Sequence, residues 1–436
     1  MVKSVRGQSE PQFIVADGSD LKVLAQGMRA QIPPQQLYSR AWHLIKESYY
    51  EQKFGGQDWN RWEHHYDGKL KTSDDAHKAI ETMLASLGDP YTRFLDRDAF
   101  DDEKSQIDAH LFGVGMQLGM HDKKVVVISP IEGTPAFKAH IQPGDEIIEV
   151  DGKPVKGQSL DQVVKQIRGK IDTKVTITCM RKTERIKSVL VRAEIPIRAV
   201  VSTEILPGNI GYIRLDSFIS SKANAEMKTA LKKLSSADGI ILDLRNNPGG
   251  LLANAIEIAS MFLDRGVIVS TIDADGYKNP TPASGNPITH QPVVLLINGG
   301  SASASEILSG ALRDNGRAKL VGQKSFGKGL VQAINKLEDG SGINVTIAKY
   351  LTPNDTDIHK QGITPDYVVK LEDDDITKKG KGPWWYDPSY NNFKRAPTDG
   401  KDIQLNKAIE VMKDTISKSQ AQGRTTAQAT DEAPKN

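Results

Sequence analysis

The stretch 292–308, PVVLLINGGSASASEIL, constrains this chain more than any other. An apolar run of strand type (292–297) gives way to Gly299 and Gly300. Serines then occupy every second position, Ser301, Ser303 and Ser305, before a helical pattern with Glu306 in its first turn. A strand that turns sharply into a helix displays one hydroxyl at the turn, and the N–H groups of the helix start point to the same place. A layered α/β architecture, with a serine nucleophile beside an oxyanion hole, is the expectation that follows.

Length and composition leave room for it. At 436 residues, with 38% hydrophobic and 26% charged, the chain reads as two or three soluble globular domains. A net charge of +2 gives no basic field for nucleic acid. Cys179 is the single cysteine, which excludes an intramolecular disulfide and a multi-cysteine zinc site. Its setting, KVTITCM, reads as a core strand. The apolar runs reach about seven residues, short of the ~18–20 of a membrane-spanning helix. The start, MVKSVRGQSEPQF, has no apolar centre and does not read as a secretory signal. The chain is therefore either cytoplasmic or lacks its true start.

Along the chain the texture changes several times. Residues 1–34 are polar and broken by Pro33-Pro34, and are expected to be poorly ordered. Residues 35–110 read as a helical domain: LYSRAWHLIKESYY carries an apolar stripe, and SDDAHKAIETMLASLG opens on Ser73 as N-cap and closes on Gly88. Residues 111–194 read as a compact unit of five or six strands, with one main helix capped by Ser159 and stopped by Gly169, and a hairpin turning at 182–185. From 195 to 371 strands and helices alternate, which predicts an α/β layer with a mostly parallel sheet. A charged spacer and a last helix fill 372–417, and 418–436 is expected to be disordered. The fold class is thus multidomain α+β.

A serine needs a base. His64, His65, His290 and His359 carry no triad signature and read as surface or satisfied histidines. A lysine can serve if burial removes its charge. In GQKSFGKGLVQ, Lys324 reads as solvated, whereas Lys328 lies between Gly327 and Gly329, where backbone can close around it. Gln332, four residues on, could orient a neutral amine. The turn in DLRNNPGG (243–250) leaves a buried strand and could offer a backbone N–H at the sheet's C-terminal edge.

DLRNNPGG, SASASE and GKGLVQ, in this order, resemble the carboxyl-terminal processing peptidases, or tail-specific proteases, which are serine endopeptidases with a Ser–Lys dyad. The resemblance covers roughly residues 35–412. It implies Ser303 as nucleophile, Lys328 as general base and Gln332 as its orienting residue. It also implies oxyanion donors at Gly249 and Ala304, an acyl-enzyme, and no metal or cofactor. The strand-rich unit resembles a PDZ domain. Phe112, Gly113, Val114, Gly115 and Met116 match its carboxylate-binding loop, and an extended peptide would pair with the strand that follows. The family's usual P-A-x-x-A-G segment is matched except at His140, where glycine is typical, which puts the local turn in question. Arg168 matches an arginine that couples PDZ and active site in the family. Polypeptides with free, apolar C-termini are the implied partners, and an extracytoplasmic location is usual for the family.

Two other readings stand beside this one. Residues 322–328 fit GxxxxGK, but Gly329 stands where Ser or Thr must bind magnesium. A catalytically silent adaptor using only the PDZ-like unit would not need both Ser303 and Lys328, and both are present.

Overall fold

The computed structural model describes residues 32–431 except 109, 122, 123, 132, 143, 197, 373–380 and 386–395. A six-stranded sheet forms its centre, in the order Val200–Leu206, Ile210–Leu215, Gly239–Asp243, Val293–Ile297, Ala318–Gly322 and Tyr367–Val368. The first pair is antiparallel and the rest are parallel. Gly239–Asp243 and Val293–Ile297 are buried along their whole length, as unbroken apolar strands covered on both faces must be. Helices Ala223–Lys233, Leu252–Ser260 and Ala304–Asp314 cover one face. Leu405, Ala408, Val411 and Met412 of the C-terminal helix cover the other.

A second sheet was not legible as such. Strand Gly342–Leu351 pairs antiparallel with Leu330–Lys336, Arg93–Leu95 and Val267–Ile272, and Lys278–Pro282 closes the far side. Helices Pro34–Ser48 and Ser73–Ala85 pack with Trp42, Trp59 and Trp62 on Leu337, Ile343 and Val345 of this sheet region. The helical N-terminal part is thereby sewn to the core by a strand as well as by side chains. Its second helix is capped by Thr72 rather than Ser73. Thr72 and Asp75 form a reciprocal capping box, whose carboxylate partner, three residues on, Ser73 lacks.

The PDZ-like unit has strands Met116–His121, Lys124–Pro130, Glu146–Val150, Lys174–Arg181 and Glu184–Val191, with helix Leu160–Ile167 capped by Ser159. Its hairpin turns at Lys182, which has φ 55°. His140 takes φ 57°, so the turn where glycine is typical is kept; histidine is among the residues that tolerate this region. Cys179 is buried in the core of this unit, and burial pushes its thiol pKa up to about 12. The entering and leaving segments, His110–Gly113 and Ala193–Pro196, pair with each other as a separate two-stranded ladder.

The last helix does not stop at 417. It runs Ile403–Asp431, because QAQGRTTAQATD contains no proline and is rich in helix-compatible alanine and glutamine. The expected disorder of 432–436, and that of residues 1–31, lie outside the described residues.

Candidate active site

Strands Gly239–Asp243 and Val293–Ile297 lie side by side and parallel, so the turns leaving them meet at the same sheet edge. Two asparagines lock these turns together. Asn246 N–H donates to Asn298 Oδ1 at 2.8 Å, and Asn298 Nδ2 donates to Asn246 Oδ1 at 2.8 Å. The flanking serines complete the lock. Ser301 Oγ donates to Leu244 O at 2.8 Å, and Ser305 Oγ donates to Asn247 O at 2.9 Å; both serines are fully buried. The hydroxyl of Ser303 takes no part in these ties. Ser303 is half-buried, stands immediately before helix Ala304–Asp314, and has φ 55° and ψ −116°. That is a strained conformation for a residue with a Cβ, and it persists because both neighbours are bonded down. Of the three hydroxyls, that of Ser303 alone stands outside this lock.

Glu306 joins this turn to the lysine loop. Its carboxylate is 1% exposed and accepts four hydrogen bonds. Oε2 receives Ser303 N–H at 2.9 Å and Lys328 N–H at 2.8 Å. Oε1 receives Gly327 N–H at 2.7 Å and Ser325 Oγ–H at 2.5 Å. Tyr350 repeats the tie from the other side, its Oη lying 2.5 Å from Lys328 O and 3.1 Å from Ser303 O. Burial, and secondarily Glu306, hold the Tyr350 phenol well above its ordinary pKa, so it stays a donor.

The side chain of Lys328 is half-buried. Burial lowers its pKa, and the positive Arg93 lowers it further, while Asp89 and Glu103 oppose both. Its Nζ lies 4.6 Å from the centre of the Tyr91 ring. No hydrogen bond joins Lys328 Nζ to Ser303 Oγ among the described residues, although their backbones share one carboxylate oxygen. Gln332 does not bond the lysine either. Its Nε2 faces Thr346 Oγ1 at 3.5 Å, and that hydroxyl donates to Asp89 Oδ2 at 2.7 Å.

Gly249 packs against the serine. A Cβ there would lie 2.7 Å from Ala302 O and 2.9 Å from both Ala304 N and Ser303 Cβ, and φ is +98°. Only glycine permits this approach. Its N–H donates to Asn247 Oδ1 at 2.9 Å, while Asn247 Nδ2 is held by Leu215 O. Ala304, at the first helical position, has no intrahelical acceptor for its N–H.

In the PDZ-like unit, Phe112 is partly exposed and Gly113 closes the entry ladder. Val114 is buried in the core. The carbonyls of Val114 and Gly115 accept from Ala136 and Ile131, which fixes the loop's direction. Gly115 has φ +78°, and a Cβ would collide with Thr134. Met116 begins the strand at the edge of the described sheet, with helix Leu160–Ile167 beside it. Arg168 pairs with an acidic residue outside the PDZ-like unit. Its Nη1 donates to Asp102 Oδ2 at 2.8 Å, on helix Arg97–Ile107.

Comparison with known proteins agrees in both halves. Residues 209–369 match the model of peptidase family S41, and residues 113–190 that of the PDZ domain. A carboxyl-terminal-processing protease of Synechocystis sp. is 41% identical over 348 residues, covering 77% of this chain and 81% of that protein. The chain belongs to the carboxyl-terminal-processing proteases. The carboxy-terminal processing protease CtpA of Bacillus subtilis is 37% identical over 341 residues, 77% of this protease and 69% of that one. The solved photosystem II D1 C-terminal processing protease is 35% identical, covers 78% of this chain and 94% of its own, and superposes with a TM-score of 0.54. This protease is thus a serine-type peptidase.

Several residues of the site escaped the sequence reading. Glu306 was visible as an acidic first-turn residue, but its partners at Ser325, Gly327 and Lys328 belong to another loop. Tyr91 and Asp89 lie in the turn GDPYT, far away in sequence, and nothing local marks them as neighbours of Lys328. Strand Leu330–Lys336 follows GKG directly, which removes the P-loop reading: no helix N-terminus is there to hold phosphate.

Proposed function

We propose that this protease captures the free, apolar C-terminus of a polypeptide in its PDZ domain and cleaves the chain with a Ser303–Lys328 dyad. The arrangement of residues 35–110 as a helical domain, 111–194 as the PDZ unit, 195–371 as the catalytic core and 372–417 as a spacer and C-terminal helix belongs to the same proposal. The observation that carries it is the shared carboxylate: Glu306 holds the backbones of Ser303 and Lys328 on one oxygen, at 2.9 and 2.8 Å.

In the reaction, the neutral amine of Lys328 takes the Ser303 proton as the hydroxyl oxygen attacks the scissile carbonyl carbon. The oxyanion is received by the N–H groups of Gly249 and Ala304, once Gly249 turns from Asn247 Oδ1. The carbon–nitrogen bond breaks as the Lys328 ammonium returns the proton to the leaving amine. Water then attacks the acyl-enzyme, Lys328 takes its proton, and the second fragment leaves with Ser303 restored. Gln332 steadies the amine through Oε1, since Nε2 faces Thr346. The carboxylate-binding loop 112–116 receives the substrate tail, and Arg168 links PDZ position to catalysis when it leaves Asp102.

The test is cleavage of an unstructured protein with an apolar C-terminus by wild type, Ser303→Ala and Lys328→Ala. Both variants should lose cleavage and still bind the tail peptide. Cleavage surviving in either one removes the dyad.

A further inference from the structure

We infer that Tyr91 is a positioning residue for the base: its ring holds the Lys328 ammonium away from Ser303 and lets the neutral amine go. The inference rests on the Ser–Lys reading and deepens it.

Three observations carry it. Lys328 Nζ lies 4.6 Å from the Tyr91 ring centre, within the range where a cation is drawn to the ring's negative face. Lys328 Nζ makes no hydrogen bond to Ser303 Oγ, although Glu306 and Tyr350 hold the two backbones together. The ring is also held in place from below. Asp89 Oδ1 accepts Tyr91 N–H at 2.9 Å, and its Oδ2 accepts from Thr92 and Thr346, each at 2.7 Å, which anchors the turn to strand Gly342–Leu351. The Tyr91 hydroxyl has no hydrogen bond among the described residues, so what the residue offers the lysine is its face. A ring attracts an ammonium and not an amine. Loss of the proton therefore frees the side chain to swing to the hydroxyl on a backbone that does not have to move.

The charge setting of Lys328 comprises Arg93 and Asp89 beside Tyr91, Glu103 on helix Arg97–Ile107, and Glu306 on helix Ala304–Asp314. Lys349 on strand Gly342–Leu351 and His359, which packs on Gly329, belong to the neighbouring elements. All of these remain when only the ring is changed. Removing the ring destabilises the cation, so the free enzyme gives up its proton at lower pH. The acid limb of kcat/KM reports that ionisation.

The experiment measures kcat/KM against pH for wild type, Tyr91→Phe, Tyr91→Leu and Tyr91→Trp, beside Ser303→Ala and Lys328→Ala. Tyr91→Phe should overlay wild type. Tyr91→Leu, which keeps the apolar volume, should move the acid limb down by about 0.5–1 pH unit, making it ~3–10-fold faster than wild type below the limb. Tyr91→Trp, with the stronger ring, should move the limb up. An unmoved limb in Tyr91→Leu, or one displaced equally in Tyr91→Phe, overturns the inference. If Tyr91→Leu does not fold, the upward shift in Tyr91→Trp decides, and its absence is the overturning result. If Ser303→Ala or Lys328→Ala still cleaves, it is the dyad that fails, and the two failures are told apart.

Discussion

Replacing Glu306 with glutamine is the most searching test of the clamp. The carboxylate receives only donors: two N–H groups on Oε2, and one N–H and one hydroxyl on Oε1. A glutamine turns one of those oxygens into an NH2. With the amide nitrogen in place of Oε2, two N–H donors face a donor; in place of Oε1, the Gly327 N–H does, while the Ser325 hydroxyl can turn to accept; the side chain cannot rotate away because it is buried. Each lost bond to a charged acceptor is worth about 1.5–3 kcal/mol, so one or two amount to roughly 1.5–6 kcal/mol of local structure. If the amide nitrogen replaces Oε2, Ser303 and Lys328 lose their common anchor; if it replaces Oε1, Gly327 loses its acceptor and the Ser325–Gly327 bend is loosened next to Lys328. A misplacement of about 1 Å at a reacting group costs on the order of 100-fold in rate. Glu306→Gln should therefore lower kcat/KM on an unfolded substrate by about 100-fold or more. Binding of a C-terminal tail peptide, measured separately, should stay as in wild type. Activity within about 3-fold of wild type would refute the idea that this carboxylate aligns the dyad.

Three further outcomes are expected. Gly249→Ala forces a Cβ to 2.7 Å from Ala302 O at φ +98°, so cleavage should fall by about 100–1000-fold while circular dichroism stays native. Burial lowers the pKa of Lys328, so if its neutral form is the base, as proposed, kcat/KM should rise with pH and level off below the ordinary lysine value of about 10.4; a profile falling across pH 6–9 contradicts the assignment. Arg245 is buried and paired with Asp243 and Asp402 at 2.6 and 2.8 Å, so Arg245→Met leaves two buried carboxylates uncompensated and should cost about 3–5 kcal/mol in urea denaturation, whereas Arg168→Met, at a part-exposed pair, should cost under about 1 kcal/mol.

Local chemistry was legible where a function sits within a few consecutive residues. The strand–glycine–serine–helix run announced the turn at Ser303, and two glycines around Lys328 announced close backbone packing; Gly329 indeed lies 3.0 Å from His359 N when given a Cβ. Pairing was not legible. The alternation of Leu330–Lys336 and Gly342–Leu351 says strand but not with whom, and the answer, an antiparallel sheet with Arg93–Leu95 from the N-terminal part, depends on contacts across some 250 positions of chain. The same distance hid Tyr91. The extent of the last helix was missed because its second half has no apolar stripe to read, while its first half is fixed by Leu405, Ala408 and Met412 against the sheet.

The buried arginine has one more consequence. Arg245 reaches from DLRNNPGG to Asp402 and Gln404, while Trp384 and Trp385 close over Tyr212 and Asp243 on the same side. The turn bearing Gly249 thus rests on residues synthesised well after Ser303 and Lys328. The footing of that turn is therefore complete only once the C-terminal segment from Trp384 to Gln404 has been made and has folded onto it.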